Sequence, residues 1–236
     1  MKFILDVHCH TIASGHAYST VTENALSAYE KGLELIAVTD HAPKMPGSSH
    51  KLYFSNLHVI PKYIKDVEIL KGAEVNILDK NGTVDLNNNA LKKLDIVIAS
   101  LHIPCIAPMT KEENTQAMIN TMKNPNIHIL GHPGDPRYPF DIKEVVYYAK
   151  KTNTAIEINN TSLNPLNPRF GGTETICAIL EECVKQNTCI VLGSDAHYCS
   201  DIGNFSNIEK IIENISIPEN LILNTNKELL KKHIGK

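Results

Sequence analysis

The sequence has no stretch of about 18 consecutive apolar residues, the length that a membrane-spanning helix needs. Its N-terminus becomes polar too soon for a secretory signal peptide, so we expect a cytoplasmic protein without membrane contact. Positive charge is not in excess, because 23 Lys and Arg face 26 Asp and Glu. Bulk attraction to nucleic acid is therefore not expected, and an anionic substrate would have to be held by local positive charge, such as metal ions.

No Cys-x-x-Cys pair occurs among the six cysteines. In a cytoplasmic chain we expect them to be reduced, buried and small apolar residues rather than disulfides. The 236 residues contain no interdomain linker, internal repeat or low-complexity segment. We therefore expect one domain that spans residues 1–236.

Short apolar, β-branched runs alternate with helical patterns along the chain. The predicted strands are Phe3–His8, Leu35–Asp40, Glu68–Val75, Ile96–Leu101, Ile127–Gly131, Thr154–Asn159 and Cys189–Ser194. The predicted helices are Thr22–Gly32, Leu57–Val67, Asn87–Leu94, Lys111–Lys123, Ile142–Lys151, Thr173–Gln186 and Asn207–Asn214. Seven strand–helix units predict an α/β fold with a parallel sheet, closed or nearly closed into a TIM-like barrel.

Two long irregular stretches, 42–56 and 160–172, follow the ends of predicted strands. Loops of this length in a compact domain are usually functional or disordered, and barrel active sites are built at these strand ends. His50 lies in the first stretch, and we regard it as a candidate substrate contact.

Nine metal-binding side chains follow or end six of the predicted strands. They are His8, His10, His16, His41, Glu74, His102, His132, Asp195 and His197. His8 and His10 are spaced to share one face of a strand, and the carboxyl ends of parallel strands form a single rim. We therefore predict that all nine converge on a metal site, whereas a single buried histidine would more often be a hydrogen-bonded core residue.

Nine ligands exceed the three protein ligands of an ordinary catalytic zinc, which favours three divalent ions with a bridging carboxylate. Imidazole and carboxylate groups suit zinc, manganese or iron, and zinc is our first expectation. Three such ions with two carboxylates and neutral histidines carry a charge of about +4, which would attract a phosphate group.

The segments that carry these residues resemble a known family. DVHCHT, TDH, GAEVN, SLH, GHPGDP and GSDAH are similar to the motif series of the PHP (polymerase and histidinol phosphatase) superfamily, most closely the stand-alone YcdX-type phosphatases. The resemblance covers nearly the whole chain. It implies a single PHP metallohydrolase domain with a distorted (βα)7 barrel, acting on a small phosphorylated substrate. Such relatives can be trimeric, so a homo-oligomer is an open alternative.

The resemblance also implies an arrangement of ligands around three metals. His8, His10, Glu74 and Asp195 would hold the first, Glu74 would bridge to the second with His102 and His132, and His16, His41 and His197 would hold the third. Asn159, Asn160, Ser162 and Arg169 match the region that contacts phosphate or sulfate in relatives. Asp40 precedes a ligand and is a candidate for orienting an imidazole.

The expected reaction is hydrolysis of a phosphate monoester, or of a diester, by a hydroxide that bridges two metals. Glu74 would bridge the metals, Arg169 would stabilise the transition state, and Asp195 would accept a proton. Other interpretations remain: a histidinol phosphatase, a 3′–5′ exonuclease-type phosphodiesterase, and a non-catalytic metal-binding domain. An amidohydrolase is less consistent with the sequence, because the fourth predicted strand, DIVIASLH, contains no lysine that could bridge metals.

Overall fold

Seven parallel strands form the centre of the fold in a computed structural model, which describes residues 1–235. With one short antiparallel strand, β3, the sheet has eight strands, which in chain order are β1 (Leu5–Cys9), β2 (Leu35–Val38), β3 (Tyr63–Ile64), β4 (Val67–Asn76), β5 (Ile96–Ser100), β6 (Ile129–Leu130), β7 (Ala155–Asn159) and β8 (Ile190–Gly193). The seven parallel strands are hydrogen-bonded in the order β1, β2, β4, β5, β6, β7, β8, and β3 pairs antiparallel with β4. The predicted α/β barrel of seven strand–helix units is confirmed.

Helices follow most of the strands and cover the sheet. They are α1 (Val21–Glu30), α2 (Lys51–Asn56), α3 (Asn88–Leu91), α4 (Lys111–Met122), α5 (Ile142–Thr152), α6 (Thr173–Gln186), α7 (Ser206–Ile212) and α8 (Lys227–Ile234). The parallel strands are buried along nearly their whole length, as expected for strands covered on both faces. Within residues 1–235, no helix combines the length and the apolar character needed to cross a membrane.

The helix predicted over Leu57–Val67 is wrong. The structure has a single 3-10 turn at Leu57–Val59, followed by β3 and the start of β4. Pro61 cannot donate a helical hydrogen bond, and Lys65 adopts a left-handed φ of 52° in the two-residue turn between β3 and β4. The helix lies earlier, as α2, within the stretch that we predicted to be irregular.

The barrel closes between β1 and β8, where no continuous ladder joins the two strands and an isolated bridge pairs Cys9 of β1 with Ala196, just after β8. At the carboxyl ends of these strands, the N–H of His10 donates to the carbonyl of Ala196, and the N–H of Asp195 donates to the carbonyl of His8, both at 2.9 Å. The backbone on either side of this seam therefore includes three of the predicted metal ligands.

A buried side chain closes the other end of the same seam. Asn224 Nδ2 donates to the carbonyls of Leu5 (3.0 Å) and Leu192 (2.8 Å), and Asn224 Oδ1 accepts from the N–H of Leu192 at 2.7 Å. Asn224 is fully buried, so its amide satisfies backbone groups of both strands where they do not pair with each other.

Candidate metal centre

The structure brings together, at the carboxyl ends of the strands, the nine residues predicted from the sequence. Seven of them are buried, whereas His16 is exposed and His197 is partly exposed. Their rings are close neighbours: His16 lies 4.9 Å from both His41 and His197, and His10 lies 4.3 Å from His41 between ring centroids. Parallel strands with the same polarity explain why residues far apart in sequence meet here.

Glu74, near the end of β4, lies at the centre of this cluster. Its Oε2 is 2.6 Å from His41 Nδ1, and its Oε1 is 2.9 Å from His132 Nε2 and 3.2 Å from His102 Nε2. His8 Nε2 follows at 3.5 Å from Oε1. One fully buried carboxylate is thus surrounded by imidazoles from four different strand ends, an arrangement suited to a bridging ligand.

Asp195, directly after β8, is the second carboxylate of the cluster. Its Oδ1 is 3.2 Å from His10 Nε2, and its Oδ2 accepts hydrogen bonds from Arg169 Nη2 and from Asn159 Nδ2 (3.3 Å). Asp195 has a left-handed φ of 56°, which only a minority of non-glycine residues adopt, often at functional sites.

Three groups within the cluster have one ligand atom per residue within 4.8 Å of the others. The groups are His8 with His10 and Glu74; His41 with Glu74 and His102; and His10 with His41 and His197. Each group shares members with one of the three sets that the family resemblance implies. His41 belongs to two of the groups, one with Glu74 and His102 and one with His10 and His197. The sharing of residues between groups is consistent with several ions in one centre.

Six buried polar atoms in the cluster make no hydrogen bond of acceptable geometry within residues 1–235, although some of them, such as His41 Nδ1 and Glu74 Oε2, lie close together. They are His8 Nε2, His10 Nε2, His41 Nδ1, Glu74 Oε2, His102 Nε2 and His132 Nδ1. Buried polar atoms are nearly always paired, because leaving one unpaired costs about 1–3 kcal/mol. Imidazole nitrogens and carboxylate oxygens are also the donor types that zinc, manganese and iron bind. The cluster therefore fits divalent metal ions.

The other ring nitrogen of several of these histidines is held by a polar residue outside the predicted set. Glu157 Oε1 lies 2.6 Å from His8 Nδ1, Asn76 Oδ1 lies 2.8 Å from His102 Nδ1, and Ser14 Oγ lies 3.0 Å from His10 Nδ1. Partners of this kind are typical of metal-binding histidines, because they fix the tautomer and the ring orientation.

Sequence reasoning did not identify Glu157, Asn76 or Ser14. One signal was available, since Glu157 is a charged residue inside the otherwise apolar run of β7, and it is buried. A carboxylate at such a position requires a partner, but the sequence does not say which histidine supplies it.

Asp40, the predicted orienting residue, is connected to the cluster by one intervening side chain, Ser14. Its carboxylate accepts hydrogen bonds from the Ser14 hydroxyl (2.7 Å), the Thr11 N–H (2.6 Å) and the Tyr53 hydroxyl (2.5 Å). Ser14 then contacts His10, so Asp40 orients an imidazole through a serine rather than directly.

The histidines differ in how readily they are protonated. Burial lowers the pKa of His10 well below its usual value, and its neighbour His41 lowers it further. Burial also lowers the pKa of His16 and of His102. Burial opposes protonation of His8 as well, but the negative charges around it, Glu157 foremost, outweigh burial and raise its pKa well above its usual value.

Both carboxylates of the cluster remain ionised. Burial alone would raise the pKa of Glu74, but the surrounding histidines, His102 first among them, lower it well below its usual range. Burial likewise opposes ionisation of Asp195, and the charge of Arg169 with the adjacent histidines lowers its pKa well below the usual range. The cluster therefore presents two carboxylates in the form that binds cations.

A cavity of about 650 Å³ opens over the cluster. Arg169 lines it, and its guanidinium is held by Ser162 Oγ, 3.0 Å from Nε, in addition to Asp195. Asn159 Oδ1 accepts from the Ser162 N–H at 2.9 Å, so these three predicted substrate-binding residues form one connected group.

The other two predicted substrate contacts lie elsewhere. Asn160 Oδ1 accepts from the N–H groups of Asn207 (2.9 Å) and Ile208 (3.3 Å) at the start of α7, which occupies its acceptor. His50 is exposed at the start of α2, where its Nδ1 accepts from the Leu52 N–H at 3.3 Å, and it does not line the cavity. The structure does not bring either of these side chains to the histidine cluster.

The chain is similar to several known proteins. The family model described as PHP domain matches residues 6–161. A probable phosphatase of Thermoanaerobacter sp. is 52% identical over 235 residues, which cover 99% of this chain and 95% of that protein. A probable phosphatase of Caldanaerobacter subterraneus is 50% identical, with 99% and 92% of the two chains covered.

A solved structure shares the fold at low sequence identity. The histidinol phosphate phosphatase of Lactococcus lactis, crystallised with zinc, L-histidinol and phosphate, has a TM-score of 0.60 and 17% identity, with 91% of this chain and 94% of that chain covered. The family match spans well over half of the chain, and the probable phosphatases match it almost from end to end. The chain therefore belongs to the PHP domain family.

Proposed function

We propose that this chain is a metal-dependent phosphoesterase that hydrolyses phosphate monoesters, with the whole chain forming one PHP metallohydrolase domain. The observation that carries the proposal is the buried Glu74 carboxylate surrounded by imidazoles: Glu74 Oε2 and five imidazole nitrogens of the cluster make no hydrogen bond within residues 1–235. The probable phosphatases that match almost the whole chain at 50–52% identity support the same reaction class.

Three divalent ions are proposed for the cluster, with zinc first and manganese or iron as alternatives. His8, His10, Glu74 and Asp195 hold one ion, Glu74 with His102 and His132 a second, and His16, His41 and His197 the third. When bound, the ions would lower the pKa of an attacking water and neutralise negative charge on the phosphoryl group.

Arg169 is proposed to bind the phosphoryl oxygens from beside Asp195, which its Nη2 contacts. Ser162 and Asn159 hold its guanidinium in place, so the ordering of a long side chain is completed before the substrate arrives. A guanidinium can donate two parallel hydrogen bonds to a phosphoryl group, which stabilises charge as it develops in the transition state.

Asp195 is proposed to accept a proton from the attacking water. Its carboxylate is ionised, because its pKa is lowered well below the usual range, and it contacts both Arg169 and His10. The ionised carboxylate is the form that can accept a proton from the water.

The test is metal analysis followed by a substrate panel. Protein purified without chelator should contain close to three divalent ions per chain, and p-nitrophenyl phosphate should be hydrolysed with added manganese or zinc. Bis-p-nitrophenyl phosphate, histidinol phosphate and single-stranded DNA in the same panel separate a diesterase, a dedicated histidinol phosphatase and a nuclease from a monoesterase. Full activity after complete removal of metal would refute the proposal.

Substitution of proposed ligands provides a second test. His16→Ala and His102→Ala should each lower both metal content and hydrolysis strongly. His58→Ala is the matched control, because His58 is exposed and contacts the Ser55 carbonyl away from the cluster. Normal metal content and normal rates in both ligand variants would show that the assignment is wrong.

A further inference from the structure

The chain contains only two arginines among its 23 basic residues, and both line the cavity above the histidine cluster. Arg169 lies in the segment between β7 and α6, and the proposed function uses it for the phosphoryl group. Arg137 lies in the segment between β6 and α5 and has no role in that scheme. Lysines supply all the other basic side chains, so the cavity has the only guanidinium groups of the chain.

Arg137 is fixed by a buried carboxylate. Its Nη2 lies 2.6 Å from Asp135 Oδ2, and its Nε lies 2.9 Å from Asp135 Oδ1. Asp135 is 3% exposed, whereas about a third of the Arg137 side chain remains exposed. The paired carboxylate thus occupies one edge of the guanidinium, and Nη1 makes no hydrogen bond within residues 1–235.

The segment that carries Arg137 is itself held rigidly. The Asp135 N–H donates to the His132 carbonyl at 3.3 Å, and the Tyr138 N–H donates to the Asp135 carbonyl at 3.0 Å. The buried Tyr138 donates its hydroxyl to the Ile106 carbonyl at 2.7 Å. Arg137 therefore lies in a hydrogen-bonded segment that begins at His132, a proposed metal ligand.

The two arginine segments also pack against each other. A Cβ at Gly172 would overlap the carbonyl oxygen of Gly134, so the end of the Arg169 segment lies directly against the backbone at the start of the Arg137 segment. This close approach joins the two segments whose arginines line the same cavity.

The cavity is much larger than a phosphate group requires. Its volume of about 650 Å³ lies within the range of about 300–1,000 Å³ typical of sites for whole small molecules. Met45, Ile103 and Pro104 add apolar walls, which suit the carbon body of a leaving group. Asp201 also lines the cavity, from the segment after β8, and its carboxylate disfavours an anionic group directly beside it.

We propose that Arg137 binds a second anionic group on the substrate, a carboxylate or a second phosphate carried by the leaving group. This inference rests on the proposed phosphoesterase function and narrows its substrate class to phosphate esters with two separate anionic groups. A guanidinium pre-ordered by a buried carboxylate loses little freedom when it binds an anion, and its free donors match carboxylate and phosphate oxygens.

The experiment compares substrates that differ by one anionic group. Glycerol 3-phosphate is paired with 3-phosphoglycerate, which tests a carboxylate, and fructose 6-phosphate with fructose 1,6-bisphosphate, which tests a second phosphate. The metal-loaded wild-type protein should prefer the two-anion member of at least one pair by about tenfold or more in kcat/KM. In Arg137→Gln this ratio should fall towards one, mainly through KM, and Arg137→Lys should retain part of it.

The ratio of two rates in the same preparation does not depend on how much of the protein is folded, so a destabilised variant still gives a readable result. Lys143→Gln, which removes an exposed positive charge from α5, is the control and should keep the wild-type ratio. Equal losses on both members in Arg137→Gln, or no preference in the wild type, would overturn the inference. Failure of the wild type to hydrolyse any phosphate ester would instead refute the proposed function.

Discussion

The Nδ1 atom of His8 lies 2.6 Å from Oε1 of Glu157, and neither side chain is exposed to solvent. The other oxygen of the same carboxylate accepts a hydrogen bond from the His132 N–H at 2.7 Å. Glu157, a residue of β7, therefore connects two proposed ligands: His8 of β1 and His132, which follows β6.

Glu157→Gln should weaken metal binding by about 10- to 100-fold, the usual effect of removing a partner of a metal-binding histidine. Glutamine has one acceptor oxygen where glutamate has two, so it cannot hold both His8 and the His132 N–H. Competition with a coloured chelator would measure the change. Glu174→Gln, an exposed residue of α6, is the control, and a Glu157→Gln protein with wild-type affinity would contradict the role assigned to Glu157.

Metal binding should release a proton from His8. The pKa of His8 is raised by nearby carboxylates, so in metal-free protein its imidazole holds a proton at pH values below that raised pKa. A metal ion needs the neutral ring, and its affinity should therefore increase as the pH rises towards the pKa of His8. Calorimetric titration in buffers of different ionisation enthalpy measures the released protons.

The same titration has an internal control. Glu157 is the foremost charge that raises the pKa of His8, so Glu157→Gln should release fewer protons at the same pH. An unchanged proton count in that variant would mean that the released proton comes from another group.

Gly193→Ala should displace Glu157 and so disrupt the proposed metal centre. A Cβ at Gly193 would overlap Glu157 Oε1 and lie 3.1 Å from the Cβ of His8, so the carboxylate must move away from its histidine. We expect a loss of stability of about 1–3 kcal/mol from overpacking, together with reduced metal content. Shortening the acid in the double variant Gly193→Ala with Glu157→Asp should recover part of the stability, and no recovery would argue against this contact as the cause.

Ser14→Ala should lower metal affinity although Ser14 is not a proposed ligand. Ser14 Oγ donates to Asp40 and contacts His10 Nδ1, and it also accepts from the His41 N–H at 3.1 Å. Its removal frees two proposed ligands at once, and we expect about a tenfold loss. Ser55→Ala, in the exposed face of α2, is the matched control, and equal affinities in the two variants would exclude the role given to Ser14.

The fold was predictable because parallel strands buried on both faces appear as short apolar runs, and every strand of the barrel was located in this way. Helix α1 begins with a capping box in which Thr20 and Glu23 bond each other's backbone, and their spacing of three residues is visible in the sequence. The error at Leu57–Val67 arose because an apolar spacing that suits a helix outweighed the single breaker Pro61. The hairpin formed there depends on pairing with β4, which a local pattern does not record.

The candidate cluster was predictable for a similar reason. Residues such as His41 and His132 immediately follow apolar strand runs, and the barrel topology brings such positions together. Glu157 and Asn76 could not be assigned, because their partners are set by side-chain directions across neighbouring strands. The side-chain oxygen of Asn160 accepts a hydrogen bond from Asn207 at the start of α7, which lies 47 residues later in the chain.

The seam between β1 and β8 has a consequence for synthesis on the ribosome. His8 and His10 precede Asp195, His197 and the closing side chain Asn224 along the chain, so they are translated well before these partners. The histidine pair therefore lacks these partners while the residues between them are being made. The complete set of proposed ligands can assemble only after β8 and the residues that follow it have been synthesised.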